Sequence, residues 1–272
     1  MSGSTPAALS IAGSDSSAGA GLQADLKTFS ALGVYGATVV TAVTAQNTCG
    51  VTAVHLVPAS IVSAQIDAVF SDLSIMAVKT GMLGSEEAIL AVAGGLERWA
   101  GGIPIVVDPV LVSTSGSRLL DKSAEAALVS RLFPLAALIT PNLQEAAALL
   151  NSPMAENESE AKAQAGQLLA LGPRAVLLKG GHAAGPSAID WFYDGSKLRS
   201  YCTPRIATKN THGTGCTLAS AIAAYAVKGL PMEEAIAEAK AYLQGAIERA
   251  QDLDIGAGAG PVSHFYRGIQ PR

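Results

Sequence analysis

Residues 211–216 read Thr-His-Gly-Thr-Gly-Cys and run directly into an apolar helical pattern. Glycines at that point leave backbone N–H groups uncovered at the partly positive start of a helix, which is a ready site for an anion. Gly213, Thr214 and Gly215 would supply those donors. Cys216 stands at the mouth of the loop, where a helix end is expected to lower the pKa of a thiol. Anion donors beside a potential base are what phosphoryl transfer to a hydroxyl requires. Taken alone, the stretch also fits a capping loop with an inert cysteine.

Other chemistry-bearing side chains fall just past short apolar runs. Residues 105–107 are Ile-Val-Val and end at Asp108. Residues 138–140 end at Pro141-Asn142, with Glu145 three residues later. Carboxylates and an amide at neighbouring strand ends could hold Mg²⁺ through water, because Mg²⁺ keeps much of its hydration shell. The default for Asn142 and Glu145 is a helix cap and its partner. Residues 175–178 end at Lys179-Gly-Gly181-His182. Lys179 could neutralise nucleotide phosphates or be a solvated turn lysine, and His182 reads as structural. Gln46 closes a Val/Thr-rich run over 37–45, and its amide offers an acceptor and donors side by side. That suits a planar heterocycle with a ring nitrogen next to an amino group. Met82, after Lys79-Thr-Gly81, could pack on such a ring, a core methionine being the default.

The elements that must position these groups alternate along the chain. Strands are expected at 7–12, 37–45, 75–78, 105–107, 138–140 and 175–178, with a hairpin over 188–193 and 198–202. Helices are expected at 23–32, 60–73, 86–99, 123–132, 143–150, 159–171, 217–227 and 232–252. Alternation of this kind predicts an α/β fold with a mostly parallel sheet and helices on both faces. Ligands in such sheets bind beyond the carboxyl ends of the strands. No repeat or linker divides the chain, so one domain over 1–272 is expected.

Composition narrows the function. Of 272 residues, 49% are hydrophobic and 15% charged, and the net charge is −4. With no Lys/Arg block, a nucleic-acid partner is not expected. Three scattered cysteines form no metal-ligand spacing, which points to a reducing cytoplasm. No apolar run of about 18 residues predicts a membrane span. Gly19-Ala-Gly21-Leu-Gln-Ala24 fits a relaxed dinucleotide fingerprint, but no acid occurs between Leu26 and Ile66 to bind a ribose. A phosphate loop of the Walker type is absent too, since the chain has no Gly-Lys pair. The 13–24 loop is instead expected to let backbone approach a small ligand, with Asp25 within reach.

Together the segments resemble a known family. Ser10-Ile-Ala-Gly-Ser-Asp15, Ala18-Gly-Ala-Gly-Leu-Gln-Ala-Asp-Leu-Lys-Thr-Phe29, Val43-Thr-Ala-Gln-Asn47, Lys79-Thr-Gly-Met82, Val106-Val-Asp-Pro-Val110, Ile139-Thr-Pro-Asn142, Leu178-Lys-Gly-Gly-His182 and Thr208-Lys-Asn-Thr-His-Gly-Thr-Gly-Cys216 resemble the hydroxymethylpyrimidine/phosphomethylpyrimidine kinases of the ribokinase-like superfamily. Gly260-Pro-Val-Ser-His264 resembles the family's C-terminal end. The resemblance implies a three-layer α/β/α kinase that uses ATP and Mg²⁺, with room for a monovalent cation. It implies two successive phosphorylations of an aminopyrimidine alcohol in thiamine biosynthesis. By the same match Gly13, Ala20, Asp25, Gln46, Met82 and Val110 hold the pyrimidine. Gly213, Thr214 and Gly215 form the anion hole, and Cys216 takes the base position. Lys179, Asn142 and Thr211 serve ATP, and Asp108 and Glu145 serve the metal. Relatives often carry Pro at the position of Ser16 and Gly at that of Ala18. A homodimer is the expected assembly. A pyridoxal kinase using the same site, and a non-catalytic binding protein on the same fold, are the competing readings.

Overall fold

A computed structural model of the protein describes residues 5–111, 120–181 and 185–268. The chain opens with β1 (Ala7–Gly13), α1 (Gly21–Ala31), β2 (Tyr35–Asn47), β3 (Gly50–Leu56), α2 (Ala59–Asp72), β4 (Ala77–Thr80), α3 (Glu86–Trp99) and β5 (Ile105–Val107). It continues with α4 (Lys122–Ala127), β6 (Leu138–Ile139), α5 (Leu143–Leu150), α6 (Glu158–Leu169), β7 (Val176–Lys179), β8 (Ser187–Tyr193), β9 (Leu198–Pro204), α7 (Thr214–Val227) and α8 (Met232–Glu248). Among the described residues these strands form one sheet in the order β3-β2-β1-β4-β5-β6-β7-β8-β9. The run from β2 to β7 is parallel, and β3, β8 and β9 add antiparallel edges. The mostly parallel α/β/α expectation therefore holds.

Strand alternation splits the core in two. Leu9, Ile11, Val78 and Val107 point to the side covered by α2 to α6. Ala8, Ala77, Val106 and Leu177 point to the side covered by α1, α7 and α8. Central strands buried on both faces read as near-continuous apolar runs, which is why 105–107 was legible as a strand. Their carboxyl ends all open on one edge of the sheet.

Several boundaries differ from the sequence expectation. The β3 strand was not anticipated: Thr52 to Leu56 are all exposed, so no inside/outside alternation marks them. Helix α7 starts at Thr214 rather than 217, because Gly213 takes φ +80° as its N-cap and lets the chain turn in earlier. The helix expected over 123–132 changes after Ala127 into a π-helical turn, Leu128–Leu132. Among the described residues, no helix is long and apolar enough to cross a membrane.

Candidate active site

A cleft of about 790 Å³ opens along the carboxyl edge of the sheet. Fourteen of the fifteen residues singled out from the sequence line it, and Asp25 is the exception. His182 lies outside the described residues.

One end is built by the loop after β1. Gly13 N–H donates to the Met82 carbonyl at 2.9 Å, and Thr41 Oγ1 donates to the same oxygen at 2.7 Å. A Cβ on Gly13 would stand 3.4 Å from Met82 Sδ, so the thioether lies against bare backbone and leaves a flat apolar wall. Gln46 sits at the end of β2, its backbone N–H accepted by Ser16 Oγ at 2.8 Å. Ser16 therefore ties the loop to β2.

Asp15 organises that loop. Its carboxylate accepts from the backbone N–H groups of Ser17, Gly19 and Ala20 and from Ser17 Oγ. It also meets His212 Nε2 at 2.8 Å. Burial alone would raise its pKa, but the His212, Ser17 and Ala20 hydrogen bonds outweigh it and hold the group down to about 2. An ionised carboxylate only accepts, so His212 Nε2 carries the hydrogen in that bond. Gln46 Nε2 lies 3.4 Å from the same ring nitrogen, which then has no lone pair to offer it. The Gln46 NH2 group therefore finds no acceptor on that ring, and its Oε1 stands 3.4 Å from Thr44 Oγ1. Asp15 and His212 were missed as site builders. The signal was present in the Ser/Gly-rich setting of Asp15, but only the fold shows that a histidine 197 residues away closes the loop.

The other end gathers charge. Lys179 Nζ donates to Asp108 Oδ1 at 2.7 Å, and Thr140 Oγ1 donates to the same oxygen at 2.9 Å. Asn142 and Glu145 form a reciprocal cap on α5: Glu145 N–H donates to Asn142 Oδ1 at 2.9 Å and Asn142 N–H to Glu145 Oε2 at 2.8 Å. The default capping role is therefore real, and it fixes Glu145 beside Lys179. Burial pushes the Glu145 carboxyl up to about 7, with Lys179 pulling it down and Asp108 pushing it up. Behind Lys179, Asp190 Oδ1 accepts from Gly180 N–H at 3.0 Å and Oδ2 from Lys240 Nζ at 2.5 Å, which pins the turn.

The start of α7 joins the two ends. A Cβ on Gly213 would overlap the Gly19 carbonyl, so only glycine lets the helix start lie on the loop after β1. A Cβ on Gly215 would stand 3.2 Å from Lys179 Nζ and 3.6 Å from Asp108 Oδ2. Thr217 N–H is the first to bond back, to Gly213 O at 2.8 Å. The N–H groups of Gly215 and Cys216 precede it and have no acceptor within the helix.

Two expectations need correction. Asp25 does not face the cleft: it is wholly buried and paired with Lys79, Nζ to Oδ2 at 2.8 Å. Its place on the sheet-facing side of α1 puts it under the loop after β1. The Cys216 thiol is not lowered by the helix end. Burial pushes it up to about 11; Lys79 lowers it, Asp25 and Asp108 raise it, and a backbone hydrogen bond from Gly21 lowers it slightly.

Residues 15–263 match the family model described as phosphomethylpyrimidine kinase. The chain is 58% identical over 263 residues to a hydroxymethylpyrimidine/phosphomethylpyrimidine kinase of Rhizobium meliloti (strain 1021), covering 97% of this chain and 98% of that one. It superposes on the crystal structure of phosphomethylpyrimidine kinase from Clostridium difficile 630 with a TM-score of 0.78, at 44% identity over 89% of this chain and 99% of that chain. It superposes on a pyridoxal kinase from Staphylococcus aureus, solved with AMP-PCP and pyridoxal, with a TM-score of 0.88 at 33% identity, covering 97% and 95% of the two chains. By sequence and by fold, this chain belongs to the phosphomethylpyrimidine kinase family.

Proposed function

We propose that the protein transfers the terminal phosphoryl group of ATP to the hydroxymethyl group of 4-amino-5-hydroxymethyl-2-methylpyrimidine, and then phosphorylates the monophosphate to the diphosphate in the same cleft. Both steps belong to thiamine biosynthesis, the setting of its relatives. One observation carries the reading: a single cleft holds Gln46 and Met82 at one end, the Lys179–Asp108 pair at the other, and the α7 start between them.

Each group has a task. Gln46 pairs with the ring nitrogen and amino group, while Met82 and Val110 cover the ring faces. Gly13 and Ala20 contribute backbone and little bulk. Asn142, Thr211 and Lys179 receive the nucleotide phosphates. The free N–H groups of Gly215 and Cys216 face the charge that grows on the transferring group, with Gly213 and Thr214 shaping the turn. Phosphoryl transfer needs little covalent help, so positioning and charge neutralisation supply most of the rate. A thiol pushed up to about 11 agrees with that division.

The acidic groups also fit a divalent cation. Asp108 Oδ2 lies near Gly215, on the cleft side, and Asp108 is close enough to Glu145 to help raise the Glu145 pKa. Two carboxylates with water and phosphate oxygens are a usual Mg²⁺ donor set. Mg²⁺ held by Asp108 and Glu145 would neutralise phosphate charge. The same reading carries a cytoplasmic homodimer, which sedimentation of the purified protein would check.

A coupled ADP-release assay with hydroxymethylpyrimidine, its monophosphate and pyridoxal tests the proposal. Turnover of both pyrimidines, with the diphosphate as end product and a lower kcat/KM for pyridoxal, is expected. A preference for pyridoxal would replace the substrate, and binding without turnover of any of the three would remove the kinase activity.

A further inference from the structure

Directly beneath the cleft lies an ion pair with no exposed side-chain surface on either partner, Lys79 and Asp25. Lys79 is in register with Ser10 on β1, and alternation along β4 puts it on the same side as Ala77, toward α1 and α7. Its Nζ donates to Asp25 Oδ1 at 2.9 Å and Oδ2 at 2.8 Å. A Cβ on Gly81 would stand 2.9 Å from Nζ, so the ammonium turns toward the carboxyl end of β4, under the segment that carries Met82. Asp25 is held from two more elements: Ser10 Oγ donates to Oδ2 at 2.5 Å, and Ser220 Oγ donates to Oδ1 at 2.6 Å. Ser220 stands about one turn after Cys216 on α7. The ammonium also feels Cys216 and Asp108.

Stability gives no reason for this arrangement. Desolvating two charges costs about what their attraction returns, and a well-packed apolar pair often does as well or better. Position does give a reason. The pair links β1, α1, β4 and α7, the four elements that meet at the substrate loop and the anion hole.

We propose that Lys79 is a positioning residue for phosphoryl transfer: through Asp25 and Ser220 it fixes the first turns of α7, which carry the free N–H groups of Gly215 and Cys216. The inference rests on the kinase reading, and wild-type enzyme assayed in parallel separates the two. Absence of wild-type turnover defeats that reading, whereas a loss confined to the variant concerns Lys79.

The test replaces both partners, Lys79→Met with Asp25→Asn, so that neither charge is stranded. The expected kcat falls about 10- to 100-fold, the scale of outer partners that orient a reacting group. KM for the pyrimidine and the dissociation constant of AMP-PCP should shift less than about threefold, because ground-state contacts are untouched. Affinity for ADP with aluminium fluoride, a stand-in for the transferring group, should fall in step with kcat. An unchanged kcat overturns the proposal, as does a parallel loss of both ground-state affinities. If the double variant does not fold, Ser220→Ala keeps both charges and cuts only the link to α7. A several-fold loss of kcat with intact AMP-PCP binding then supports the proposal, and an unaltered kcat overturns it.

Discussion

Two lysines near the carboxyl ends of parallel strands each pair with an aspartate, yet they live in different worlds. Lys79 on β4 and Asp25 have no exposed side-chain surface; Lys179 on β7 is 13% exposed and its partner Asp108 2%. Both side chains lie on the α1/α7 side of the sheet. The difference is height. Lys79 pairs across with Val106, which pairs with Leu138, whereas Lys179 bridges Asn142, four residues further toward the open edge. Lys79 is therefore roofed by the α7 start and the substrate loop, while Lys179 reaches past that roof. A sealed pair cannot change partners. An open one can release its ammonium to an arriving phosphate, so on the proposed reading the first sets geometry and the second meets ligand.

The largest expected effect comes from breaking the open pair. Lys179→Met should lower kcat/KM for ATP about 10²–10³-fold, the scale for losing one charged stabiliser of the reacting group. Pyrimidine affinity should be nearly unchanged. Steady-state kinetics with each substrate varied would show this, and an equal loss on both substrates would mean that Lys179 only holds the fold.

Next in size is the reading of the ring. Gln46→Ala should weaken pyrimidine binding by about 1–3 kcal/mol, because a buried ring group loses its partner. Calorimetry with the alcohol and with AMP-PCP separates the ends of the cleft: only the first affinity should fall.

Cys216 comes third. With its thiol raised to about 11, thiolate is scarce at pH 7 and grows as pH climbs toward that value. Wild-type kcat should therefore rise between about pH 8 and 10, and Cys216→Ala should abolish the rise. The loss at pH 7 should stay below about tenfold. A flat wild-type profile, or a large loss at neutral pH, would contradict this.

The smallest effect probes the loop that roofs the sealed pair. Ala18 takes φ +60°, a left-handed conformation that suits glycine better than alanine. Ala18→Gly should stabilise the protein by up to about 1 kcal/mol, net of the added freedom of the unfolded chain. A thermal melt that moves downward would show that the loop makes use of that methyl group.

Much of this was legible in the sequence. Strand ends at Asp108, Asn142 and Lys179 were visible because apolar runs buried on both faces stop abruptly at a polar residue. The α7 start was visible from its glycines. Vertical position was not visible: Asp25 and Lys179 look alike as charged residues near glycine turns, and only register decides which is roofed. The Asp15–His212 contact joins distant segments and leaves no local pattern. The thiol of Cys216 was misjudged for a similar reason, since a helix start is local but desolvation depends on what folds over it. The β3 strand lacked a pattern because neither of its faces is buried.

A crystal structure of the complex with hydroxymethylpyrimidine, AMP-PCP and Mg²⁺ tests the account most directly. The alcohol oxygen should lie about 3–3.5 Å from the terminal phosphorus. Lys179 should have moved from Asp108 onto a phosphate, and Lys79 should remain on Asp25. An alcohol directed away from the nucleotide, or Lys79 turned out to meet it while Lys179 stays on Asp108, would contradict it.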